Sequence, residues 1–171
     1  MTEVSNSKDK VNVFFDNLKK LSKNNLVNLK KCAGKEYKEA KANSLSVFYS
    51  ILPNDVYTRD EYIYYTVACL YAMYDGSMGN KTFQENLKML KNTGIEKKFI
   101  YLLDDTLNED SLMLSKIFRL VKMLQREGHK INFENLLRDL LYWNHPDKFI
   151  QRKWAFTYFS NEKLDNKEEE K

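Results

Sequence analysis

The residue types that carry most enzyme chemistry are scarce in this chain and badly spaced for it. His129 and His145 are its two histidines, and no HExxH, HD or Cys/His cluster accompanies either of them. A zinc or hydrolytic metal site needs three or four such ligands at short, repeated spacings, so neither histidine is assigned to a metal. Cys32 and Cys69 have no CxxC spacing and are read as reduced thiols, not as a disulfide framework. Asp104-Asp105 and Glu109-Asp110 are adjacent carboxylates that could do acid–base work. Beside predicted helix ends, however, such residues act as caps and dipole partners. Gly79-Asn80-Lys81-Thr82 is like the end of a phosphate-binding loop, yet Asn80 stands where glycine is needed and a helix precedes it where a strand is required. No catalytic residue, metal or cofactor is assigned. The expectation is a non-enzyme.

The basic residues are more informative. The formal net charge is only +4, but it is unevenly distributed. Residues 1–41 carry ten basic and five acidic side chains, residues 42–111 six and ten, and residues 112–153 nine and four. Two basic blocks flanking an acidic middle point to a surface that meets a polyanion. Lys116, Arg119, Lys122 and Arg126 step by three, three and four along one predicted helix, opposite Ile117, Leu120, Val121 and Leu124. That spacing makes a basic ridge on a helix whose other side is buried. Three basic pairs join it: Lys30-Lys31 near a helix end, Lys97-Lys98 near a helix start, and Arg152-Lys153. Lys30-Lys31 also suits the negative end of a helix dipole, whereas Lys97-Lys98 is disfavoured at a positive end. A surface of this kind binds a phosphate backbone without reading sequence. Aromatic residues are plentiful, but most lie at core spacing, and base stacking by Tyr37 or Tyr57 is not assigned.

The elements that must hold these residues are helical. Five Gly and two Pro in 171 residues are too few for the corners of sandwiches, barrels or propellers. No stretch alternates with period two, so no sheet is expected. Val11, Phe14, Phe15, Leu18 and Leu21 form the stripe of a first helix over 8–21. Ser22 caps a second, which stops at Gly34, and a short helix from Leu45 ends at Pro53. Thr58/Glu61 and Thr82/Glu85 have capping-box spacing. The first box opens a central apolar helix to about Asp75, and the second opens a helix ending near Gly94. Further helices are predicted over 95–103, from Asn108 to Gly128, from Asn132 through Leu141, and from Pro146 to about Phe159. The uncharged apolar stretch Tyr62–Tyr74 is shorter than the roughly 18 residues that span a bilayer. The polar residues 1–10 are unlike a signal peptide, and a cytoplasmic protein is expected. The fold expected is an all-α bundle of about eight to nine helices: one domain over 1–160, with lobes of about 8–105 and 108–160 sharing a core, and a disordered charged tail over 161–171.

Within these predicted helices, several motifs become specific. Residues 131–146 read Ile-Asn-Phe-Glu-Asn-Leu-Leu-Arg-Asp-Leu-Leu-Tyr-Trp-Asn-His-Pro, followed by Ile150-Gln151-Arg152-Lys153-Trp154-Ala155 and Tyr158-Phe159. The run resembles the end of the CasB family, the small subunit of the type I-E CRISPR Cascade surveillance complex, with its LLRDLLxW helix, HP turn and VQRRWARxFY. Leu26-Val27-Asn28-Leu29-Lys30-Lys31-Cys32-Ala33-Gly34 resembles that family's LAxLRRxxG. Phe48-Tyr49 to Pro53, the central helix, Thr82-Phe83 and Lys97-Lys98-Phe99 follow in the family's order. The resemblance covers about residues 11–160.

The resemblance implies an all-helical, non-catalytic subunit, present as two copies within a complex that contains crRNA, backbone subunits and a large subunit. Its basic surface would contact the target strand and the displaced non-target strand of an R-loop in antiviral defence. Carried over by position, the DNA-contacting candidates are Lys30, Lys31, Lys97, Lys98, Arg119, Arg152 and Lys153, with Arg59 and Lys148 near basic family positions. Lys116 and Lys122 join them from the ridge. Lys for Arg at most of these places keeps the charge and loses the bidentate fork. Phe156 stands where the family usually has a basic residue. A second interpretation of the same ridge is a helical interaction module for an acidic protein partner, with no nucleic-acid role.

Overall fold

In the computed structural model the described residues are 3–90 and 92–160, with residues 3–9 described by backbone alone. They form nine α-helices and no strand: α1 Glu3–Lys19, α2 Lys23–Lys30, α3 Ala42–Ile51, α4 Glu61–Met73, α5 Phe83–Met89, α6 Thr93–Asp104, α7 Met113–Arg126, α8 Phe133–Leu141 and α9 Phe149–Phe159. The all-helical expectation holds. The tail expected over 161–171 lies outside the described residues.

The centre is α4. From Ile63 to Met73 every residue except Thr66 is buried, so this helix has no solvent face. Its apolar residues run all the way round, which is the pattern of a helix enclosed by others. It packs against α2, α7 and α8, while α1 lies on α3 and α8, and α5 lies on α9. Aromatic edges knit the layers: Phe14 meets Tyr64 at 5.0 Å, and Phe48 meets Tyr65 at 5.3 Å. Burying rings of this size is the main favourable contribution to a core of this kind.

Several predicted caps form as expected. The Ser22 side chain accepts from the Asn25 N–H, Asn132 from that of Asn135, and Thr82 with Glu85 makes the reciprocal capping box. Three starts differ. The Thr58–Glu61 box does not form, because Thr58 opens a short 3₁₀ turn and the Glu61 carboxylate accepts from the Tyr37 and Tyr49 hydroxyls at 3.0 and 2.8 Å. Two phenolic donors to a carboxylate outcompete one backbone N–H. Asn108 does not start α7; its side chain accepts from the Asp110 N–H in a local turn, and the helix begins at Met113. The cause is distant, since Asn144 takes the Leu107 N–H at 2.9 Å and fixes the chain before the turn. Pro146 does not open α9 either. His145 to Lys148 close a turn through Lys148 N–H to His145 C=O at 2.9 Å, with Pro at the second position that turns favour, and α9 starts at Phe149.

Candidate nucleic-acid interface

Helix α7 carries the ridge. Met113, Ile117, Leu120, Val121 and Leu124 are buried, and at 100° per residue Arg119, Lys122 and Arg126 stand opposite them, all exposed. Lys116 lies about 60° from Arg119, on the side that turns toward the core. There its Nζ donates to Asp105 at 2.8 Å, and the two side chains are 38% and 24% exposed. Lys116 therefore sits in an ion pair at the flank of the helix and not on the open ridge.

The end of α2 is brought to this ridge by a glycine. Gly34 has φ +83°, and a Cβ there would stand 2.6 Å from the Phe118 ring of α7. No side chain larger than hydrogen allows that approach. On the same ring, Lys122 Nζ lies 5.9 Å from the centroid. The end of α4 closes the junction. Gln125 donates to the Met73 carbonyl at 2.6 Å, and Lys30 Nζ bonds Asp75 at 3.0 Å. Lys30 and exposed Lys31 thus stand on the α2 side of the Gly34–Phe118 junction and Lys122 on its α7 side, and Arg119 and Arg126 share the exposed face of α7.

The other candidates lie elsewhere. Lys97 and Lys98 are exposed on α6, whose Phe99 is buried against Tyr158 of α9 at 4.5 Å. Phe99 also stacks on Trp154 at 6.4 Å, next to Lys153, and Arg152 and Lys153 lie in the N-terminal half of α9. Arg152 donates to the Asp147 carbonyl at 2.8 Å. Lys153 is held by Asp139, a buried carboxylate that also accepts from the Trp154 indole at 2.7 Å. Lys148 is exposed at φ +50°, just ahead of Phe149.

A groove of about 880 Å³ separates the approach to α4 from the 142–149 turn, and it contains Arg59. The Arg59 guanidinium and Lys10 Nζ lie 5.0 and 4.9 Å from the centre of the exposed Tyr57 ring. Burial raises the Asp60 carboxyl above its ordinary range, although Arg59 and Lys10 pull it down. Burial likewise pushes the Tyr62 and Tyr64 hydroxyls up to about 12, so both stay neutral. This groove escaped the sequence because its walls come from segments about 50 and 90 positions apart. The one local signal was Tyr57 beside Arg59, outside any helical stripe.

Residues 25–159 match the family model of the CRISPR-associated protein Cse2. The chain belongs to the Cse2 family. A Cse2 protein from Thermus thermophilus is 34% identical to it over 99 residues, which is 56% of this chain and 55% of that protein. The match thus spans about half the length of this curated relative. Among solved structures, a Cse2-family protein from the same species superposes with a TM-score of 0.75 at 24% identity, covering 87% of this chain and 97% of that one. A chain of a CRISPR RNA-guided surveillance complex superposes at 0.73 and 17% identity, covering 94% and 98%. At those identities the two structures speak for the Cse2 fold. All the candidates from Lys30 to Lys153 fall inside the span that the family model matches.

Proposed function

We propose that this Cse2 protein is a non-catalytic small subunit of a type I-E Cascade complex that acts in the cytoplasm. It sits beside crRNA-bound backbone subunits, a large subunit and a second copy of itself, and its basic surface holds DNA. The observation that carries this is the exposed row Arg119, Lys122 and Arg126 on α7, with Lys30 and Lys31 across the Gly34–Phe118 junction. Phosphates spaced along a strand suit a line of cations on one straight helix. Exchanging a DNA duplex for an RNA–DNA hybrid is nearly balanced in free energy, so backbone contacts to the target and displaced strands tip it toward the open R-loop. The basic pairs on α6 and α9 lie apart from this edge, and there Lys97, Lys98 and Arg152 would meet other turns of the same nucleic acid.

Charge reversal tests this. Arg119→Glu with Lys122→Glu is expected to leave circular dichroism and melting nearly unchanged, since both side chains are exposed, and to abolish R-loop formation by the reconstituted complex. Lys116→Met serves as the control that keeps the open ridge. Unchanged R-loop formation in the double variant would overturn the proposal. Loss of complex assembly with DNA binding intact would favour the interaction module for an acidic protein partner.

A further inference from the structure

The groove beside α4 combines three chemistries. One is a cation at the rim, the exposed Arg59, with Lys10 set back beside it and held by Asp55. The second is aromatic surface: Tyr57 is 59% and Phe149 40% exposed. The third is a carboxylate. Asp60 lines the groove and accepts no hydrogen bond from any described residue, and its partial burial disfavours the ion. A nucleotide presents the complement in one unit, with an anionic phosphate on one side of the sugar and an aromatic base bearing amino donors on the other.

We propose that the groove binds an unstacked base of single-stranded DNA, stacked on Tyr57 and Phe149, with its exocyclic amino group donating to Asp60 and a flanking phosphate met by Arg59. This inference rests on the nucleic-acid reading above and adds a base-binding site to it. Aromatic rings and guanidinium planes are the surfaces on which splayed bases stack. A base inside a duplex has both faces covered, so the occupant is single-stranded. A carboxylate accepts from the amino groups of cytosine, adenine or guanine, and thymine has none to offer. A basic peptide would be repelled by the rim, and an acidic one would meet Asp60.

The test measures fluorescence anisotropy of the full chain with three labelled strands of about 12 nucleotides: oligo-dC, oligo-dT, and an abasic strand with the same phosphates. The wild type is expected to bind oligo-dC about tenfold more tightly than the abasic strand. Tyr57→Ala should remove most of that preference while leaving abasic binding as it was, and Asp60→Ala, which removes the acceptor, should remove the preference for dC over dT. Circular dichroism checks that both variants are folded. Equal binding of all three strands by the wild type overturns the groove assignment and leaves the backbone reading standing. Binding of none overturns both. A base preference that survives Tyr57→Ala and Phe149→Ala also overturns the assignment. So does protection of Tyr57 on mixing with protein subunits in the absence of DNA, which would give the groove to a protein.

Discussion

Trp154 has none of its surface exposed and touches three other rings, with Trp143 at 4.9 Å and Phe83 at 5.3 Å the nearest. Its indole also partners Asp139, one of four buried polar residues among those described. Trp154→Ala is expected to cost about 3–5 kcal/mol in urea unfolding, because it leaves a large cavity. Trp154→Phe keeps most of the packing but strips Asp139 of one donor, costing about 1–3 kcal/mol. Asp60 illustrates the opposite case. Its folded carboxyl holds a proton more tightly than the unfolded one, so stability falls as pH rises from the ordinary carboxylate range to the raised value, and the penalty persists above it. Asp60→Asn is therefore expected to raise the melting temperature at neutral pH and to leave it unchanged where the carboxyl is protonated in both states. Melts across pH decide this. A residue that weakens the fold while lining a groove fits a binding role, since sites trade stability for function.

Among the elements, α2 and α7 form the main basic edge, and Gly34 joins them. Gly34→Ala places a side chain at φ +83° and a methyl against the Phe118 ring. It is expected to cost more than about 1 kcal/mol from the backbone conformation alone. In a double-mutant cycle with Phe118→Ala, the steric part of that cost should disappear and the backbone part remain. The caps at Ser22, Thr82 and Asn132 were legible in the sequence, because a cap is a contact over three residues. Those at Thr58 and Asn108 were not. Glu61 answers to hydroxyls from residues 37 and 49, and the chain entering α7 is held by Asn144. In each case a tertiary hydrogen bond displaced a local one.

Taken as a whole, the molecule offers DNA a limited grip. Lys31, Arg119, Lys122 and Arg126 are exposed cations of the main edge, and Lys30, also exposed, is paired with Asp75. Four contacts to a single strand give a slope of log K against log salt near −0.7 × 4, so affinity should fall roughly fifty-fold between about 50 and 200 mM salt. Titration of the free chain at several salt concentrations measures the slope, and a slope near zero would remove the phosphate contacts. Weak binding by the lone chain suits a subunit whose neighbours in a complex raise its effective concentration. The helical class, the central buried helix, the stripe on α7 and the family were all present in the linear order of residues, because helical periodicity and capping act over a few positions. Which cations are held by carboxylates was not. Lys116, Lys153 and Lys30 read as equals of Arg119 and Lys122, yet each meets a carboxylate, at Asp105, Asp139 and Asp75, that lies 11, 14 and 45 positions away. Coulomb attraction acts through space, and the distances that set it exist only once the helices are packed.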